Sequence, residues 1–291
     1  MVAMTRVGVA LVAAVLLLQG CAGLQDRRAT RDRLLEGAGW RASLITTAQF
    51  DIAAAEPLAP RRGDTLTVYL EGDGRAYLNA SLASSDPTPR DPTALRMALA
   101  APHPGPLLYL ARPCQYTMPG GRNCEKKYWT GERYAPPIVE SLNEALQLEK
   151  HRVGASRLIL VGYSGGGALA VLLAARRNDV VSIVTVAANL DLDYWVGRDG
   201  LTPLDGSLDP AAYAADVRQV PQIHMVGGRD RVVGPDVAQS FLRKSGINDE
   251  RRLMLIPAFD HVCCWAENWL SLSRSAELAG ILKPLADDTK P

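Results

Sequence analysis

The stretch LILVGYSGGGALAVLLAARR, residues 158–177, runs from an apolar, β-branched segment through Gly162-Tyr163-Ser164-Gly165-Gly166 into an alanine- and leucine-rich segment. The first part is the short apolar run of a buried strand, and the last part has helical composition. A single serine therefore stands between glycines where a strand gives way to a helix. A serine hydroxyl is a poor nucleophile unless it is held clear of the backbone and beside a base. A tight strand-to-helix turn presents it in that way. Side chains next to the serine would crowd the turn, which accounts for the Gly-x-Ser-x-Gly spacing. The same turn aims the free amides of a helix N-terminus at any negative charge developing near the serine.

Outward from this stretch, further continuous apolar runs recur at 64–74, 106–113, 180–190, 222–230 and 251–261. Helical patterns at 93–101, 136–152, 165–177, 235–245 and from Trp265 onward separate several of them. Residues 40–54 alternate in places and suggest one or two edge strands. Unbroken apolar strands alternating with helices predict an α/β fold, with a mostly parallel central sheet flanked by helices on both faces. In such sheets the residues just past the carboxyl ends of the strands form the site. The segment 114–136 is long, glycine-bearing and aromatic, as ordered functional loops often are. No repeat or low-complexity segment is present.

The 291 residues are 47% apolar and 22% charged, with a net charge of +1, which suits one large α/β domain or two small ones. A charge so near zero excludes a global field favouring nucleic acid. No nucleic-acid motif is present, and Lys126-Lys127 reads as a solvated loop. At the N-terminus, Arg6 precedes the apolar run Val7–Leu18, which is short for a transmembrane helix and suits the apolar core of a secretory signal. Residues 22–38 are polar and arginine-rich, and read as a tether running into a short helix.

The strand–Gly-x-Ser-x-Gly–helix arrangement resembles the α/β-hydrolase superfamily over residues 60–285. That resemblance implies one α/β-hydrolase domain, here 39–291, with a catalytic serine, acid and histidine in that chain order. Ser164 is the implied nucleophile. Of four histidines, His103 and His151 precede it, His224 lies within an apolar run as a packed core residue would, and His261 follows the last strand. His261 is thus the implied general base. Asp230, in GGRDRVV after the run ending at Gly228, is the implied acid, with Asp191 or Asp193 as the alternative. Asp260 reads as a capping or solvated residue. The implied oxyanion donors are the amides of Gly165 and Asp73, with Gly74 as the alternative to Asp73. The latter pair lies in Glu71-Gly72-Asp73-Gly74, where the superfamily often has His-Gly-x. The Asp73 carboxylate has to turn away or pair with Arg75 or Arg112. Tyr116, Trp129, Tyr134, Tyr194 and Trp195 are candidates for the walls of a pocket.

The resemblance implies a serine hydrolase acting on a small acyl ester, without cofactor or metal. A peptidase, thioesterase or acyltransferase would use the same three residues. A non-catalytic envelope protein that keeps the fold for binding is the remaining alternative. Leu18-Gln19-Gly20-Cys21 resembles a bacterial lipobox. This implies a signal peptide over 1–20, a lipid anchor on Cys21 and a tether over 21–38. Ala22 in place of aspartate implies an outer-membrane location facing the periplasm. Export implies an oxidising compartment. The other four cysteines allow three pairings, Cys114–Cys124 among them, and free thiols at 263–264 remain an alternative.

Overall fold

A computed structural model describes residues 27–79, 81–100, 105–246 and 249–283. The signal and lipidation expectations, including Cys21, lie outside the described residues.

The chain forms one eight-stranded sheet in the order β1-β2-β4-β3-β5-β6-β7-β8. The strands are β1 (Trp40–Thr46), β2 (Asp51–Pro57), β3 (Thr65–Leu70), β4 (Leu107–Leu110), β5 (Arg157–Tyr163), β6 (Val180–Val186), β7 (Gln222–Gly227) and β8 (Leu253–Ile256). β1 and β2 pair antiparallel, and β2 joins β4 antiparallel; every pair from β4 onward is parallel. The helices are α1 (27–38), α2 (Thr93–Ala100), α3 (Pro136–Val153), α4 (Gly165–Ala174), α5 (Leu192–Asp199), α6 (Pro235–Ser245), α7 (Trp265–Leu272) and α8 (Ala276–Leu282). The α/β architecture expected from the apolar runs is the one observed, with a mostly parallel central sheet flanked by helices.

The core lies in two layers, one on each face of the sheet. Leu66, Val68 and Leu70 of β3 point to the side covered by α3, α4 and α6. Tyr69 points to the side covered by α1, α2, α7 and α8, where Trp265 and Trp269 are fully buried. The same alternation recurs in β5, where Leu158 and Leu160 face one layer and Ile159 and Val161 the other. A strand buried on both faces must be apolar at every position, so these strands read as continuous runs. The two edges are more open: most of β1 is exposed, and Leu255 of β8 is half exposed.

Residues 27–38 form the short helix into which the tether was expected to run, and they pack on the domain. Leu35 is buried, and Arg27 donates to the carbonyls of Asp86 and Thr88 at 3.2 and 3.1 Å. The segment 114–136 is ordered, with one short helical turn at Lys126–Trp129. The sulfurs of Cys114 and Cys124 lie within bonding distance, with Cα atoms 5.5 Å apart, and those of Cys263 and Cys264 are paired likewise. Among the described residues, no helix is long and apolar enough to cross a membrane.

Candidate active site

β5 ends at Tyr163 and α4 begins at Gly165, so Ser164 is the whole of the connection. Its backbone adopts φ 50° and ψ −121°, a region that residues with a Cβ avoid. The surrounding glycines let the turn close. A Cβ on Gly162 would lie 2.2 Å from the Gly166 carbonyl oxygen, and one on Gly166 would lie 2.1 Å from that of Leu70. Bonds from the Ser164 amide to the Val186 carbonyl (2.8 Å) and from the Gly167 amide to the Ser164 carbonyl (2.9 Å) fix the turn.

His261 lies in the loop between β8 and α7, and its Nε2 is 3.1 Å from Ser164 Oγ. On the far side of the ring, Nδ1 is 2.9 Å from Asp230 Oδ2. Asp230 follows β7 and is buried. Its other oxygen accepts from the amides of Val232 and Val233 at 2.8 and 3.0 Å. Burial works to raise its pKa, but the hydrogen bond and charge of His261 and the two amides together hold it below the usual carboxylate value. Tyr163 donates its hydroxyl to the His261 carbonyl at 2.9 Å and so pins the loop that carries the ring.

The alternative acid is placed elsewhere. Asp191 is fully buried and caps α5 through the Tyr194 amide at 3.1 Å, while Ser240 and Lys244 of α6 donate to it at 2.7 and 2.9 Å. Asp260 accepts from the amides of Val262 and Cys263 at 2.8 and 2.7 Å, a local cap in the histidine loop. His224 is fully buried between Thr185 Oγ1 (2.9 Å) and Gln222 Oε1 (3.1 Å), and burial lowers its pKa to about 3. It is a neutral core residue.

The turn after β3 faces the serine. A Cβ on Gly72 would lie 3.3 Å from Ser164 Cβ, so Gly72-Asp73 and the serine turn are in contact. As the first residue of α4, Gly165 has no acceptor for its amide within its own helix. Among the described residues, the Asp73 amide likewise meets no acceptor. The Asp73 carboxylate pairs with Arg112 and, at 2.7 Å, with Arg133. The Tyr134 hydroxyl also donates to it at 3.0 Å. Burial would raise its pKa, and the two guanidinium groups hold it below the ordinary value. Arg112 was among the partners expected from the sequence; Arg75 is not a partner. Two guanidinium groups thus face the single Asp73 carboxylate.

Beneath the turn, Glu71 is buried. It accepts from the Gly72 amide at 2.9 Å, from the Ala94 and Leu95 amides of α2 at 3.4 Å each, and from the Tyr109 hydroxyl at 3.2 Å. Burial pushes its pKa up to about 7 against these four donors. It ties the loop after β3 to α2.

Ser164 and His261 open on a cavity of about 480 Å³, walled among others by Tyr77, Arg133, Trp195 and Val232. A second cavity of about 410 Å³ shares Tyr77, Arg133 and Trp195 with it and continues past Leu78, Val196, Leu201 and Leu204. Of the five aromatic candidates, Trp195 lines both cavities. Tyr134 is buried on Asp73, Trp129 donates to the Ser84 carbonyl at 3.0 Å, Tyr116 is in the core, and Tyr194 binds Asp236 at 3.0 Å. Sequence reasoning did not find Arg133, Tyr163 or Asn189, whose Oδ1 is 3.4 Å from Ser164 Oγ. Asn189 lies just past β6, which is the position that marks it.

The fold is that of the α/β-hydrolases, and similar solved structures cover most of the chain. The Pyrococcus furiosus esterase Pf2001 aligns with TM-score 0.57 and 14% identity over 84% of this chain and 93% of its own. A membrane phospholipase A, described as a bacterial virulence factor, aligns with TM-score 0.55 and 16% identity over 94% of this chain and 99% of its own. An α/β serine hydrolase homologue from Coxiella burnetii aligns with TM-score 0.53 and 13% identity over 83% and 97%. The sequence matches no family model and no curated protein sequence.

Proposed function

We propose that the protein is a serine hydrolase that cleaves carboxylic esters through an acyl-enzyme. The observation that carries this reading is the unbroken chain Ser164 Oγ–His261 Nε2, His261 Nδ1–Asp230 Oδ2, at 3.1 and 2.9 Å, opening on a cavity. The esterase and phospholipase among the similar structures are consistent with it. His261 takes the Ser164 proton as the oxygen attacks the acyl carbonyl. Asp230 holds the ring in the tautomer with Nδ1 protonated and stabilises the imidazolium that forms. The amides of Asp73 and Gly165 receive the oxyanion, with the Arg112 and Arg133 guanidinium groups behind the Asp73 turn. His261 then protonates the leaving oxygen, and water attacks the acyl-enzyme by the same route in reverse.

The second cavity, with four aliphatic side chains in its wall, suits the apolar arm of the ester. We further place the activity at the cell envelope, on the strength of the Val7–Leu18 run and Leu18-Gln19-Gly20-Cys21. The direct test is hydrolysis of 4-nitrophenyl butyrate by the full chain beside Ser164→Ala and Asp230→Asn. The first variant should lose about 10⁴-fold or more in kcat, and the second about the same through the wrong tautomer. Undiminished turnover by Ser164→Ala would refute the reading.

A further inference from the structure

Two guanidinium groups, Arg75 and Arg90, line the cavity that holds Ser164 and His261. Among the described residues, neither side chain has a hydrogen-bond or ion-pair partner. Their loops are locked together. The Arg75 amide donates to the Pro87 carbonyl at 2.9 Å, and Gly74 is so close that a Cβ there would lie 2.1 Å from the same oxygen. The two arginines therefore share one wall by construction.

The nearby carboxylates are engaged elsewhere, Glu71 of the same cavity with the Gly72, Ala94 and Leu95 amides and the Tyr109 hydroxyl. Asp91, in the same wall, binds Arg96 at 2.7 Å, and Arg96 also holds Glu267 at 2.7 Å. Asp73 is taken by Arg112 and Arg133, and Asp86 by Arg27 at 3.4 Å and the Thr88 hydroxyl at 2.6 Å. Burial and the like charges of Arg90 and Arg27 hold the Arg75 guanidinium below its ordinary pKa, so the positive groups repel one another. Two guanidiniums with no direct ion-pair partner, facing one cavity, suit a ligand that brings the negative charge itself.

We propose that Arg75 and Arg90 form a subsite for an anionic group of the substrate, a phosphate or a carboxylate. Building on the hydrolase reading above, the ester presented to Ser164 is then an anionic amphiphile, its charge at these arginines and its apolar arm past Trp195.

Calorimetric titration of the full chain with octyl phosphate tests the subsite without requiring turnover. The wild type should bind it, and Arg75→Gln/Arg90→Gln should bind at least about tenfold more weakly. Equal affinity in the two proteins, or no binding by the wild type, overturns the subsite. Kinetics then separate the sources of charge. One pair of substrates is 1-octanoylglycerol 3-phosphate against 1-octanoylglycerol; the other is 4-nitro-3-(octanoyloxy)benzoate against 2-nitrophenyl octanoate. The wild type should favour the anionic member of at least one pair about tenfold in kcat/KM, and the double variant should lose that ratio. Ratios near one in both pairs, or ratios that persist in the double variant, overturn the subsite and leave the hydrolase reading intact. Arginine-dependent binding of octyl phosphate with no hydrolysis of any of the four esters refutes the hydrolase reading and leaves the anion subsite standing.

Discussion

Ser164 sits in a conformation that costs about 1–3 kcal/mol for a residue with a side chain, and the turn tolerates it because that conformation presents the hydroxyl. Ser164→Gly removes the strain together with the nucleophile. It should raise stability to chemical denaturation by about 1 kcal/mol while abolishing ester hydrolysis. A variant less stable than the wild type would mean that the turn is not strained. Glu71 makes a second prediction. Its pKa is raised in the folded state, to about 7 from 4.5, so folding favours its protonated form. The stability it adds is full below about pH 4.5 and is lost as pH rises through 7, by about 3 kcal/mol at most. Unfolding measured from pH 4.5 to 8 should show this decline in the wild type and not in Glu71→Gln; parallel curves would contradict it. At this scale the sequence was informative where chemistry is tied to position. Ser164 lies between glycines, and His261 follows the last strand. Glu71 carries no such mark, because its role depends on amides from α2, more than twenty positions away.

The elements explain why the glycines are there. α4 packs so closely on the end of β3 that Gly166 touches the Leu70 carbonyl, whereas Gly197 in α5 has open space around it. Gly166→Ala should therefore cost more than about 3 kcal/mol or prevent folding. Gly197→Ala should add about 0.5–1 kcal/mol through helix propensity alone. Paired denaturant titrations check both, and a benign Gly166→Ala would contradict the tight approach. Most elements could be read from the chain, since strands buried on both faces are unbroken apolar runs and α3 carries proline at its start. α5 escaped. Its segment LDYWVGRD holds a glycine and few periodic apolar residues, and its stability comes from the buried Asp191 cap and from contact with α6. Those are tertiary interactions that local sequence does not display.

Across the whole molecule, the carboxyl ends of β3, β5, β7 and β8 bring Asp73, Ser164, Asp230 and His261 to the same end of the sheet. The topology that does this was legible as alternation of strand and helix. The cavity was not, because its walls come from segments around residues 75, 90, 133, 195 and 232 that meet only in the folded chain. The envelope location proposed above belongs to this scale too. Full-length protein expressed in a bacterium with the lipidation machinery should fractionate with membranes, and Cys21→Ala should release it. Equal partition of the two would contradict the lipid anchor.

The central claim is that His261 and Asp230 activate Ser164. Its most direct measurement is covalent labelling of the full chain by a fluorophosphonate, with the modified peptide mapped by mass spectrometry beside His261→Ala. The account predicts a single adduct on Ser164, formed at least about 10³-fold more slowly in the variant. An adduct at another residue, or labelling of Ser164 that does not slow when His261 is removed, would contradict it.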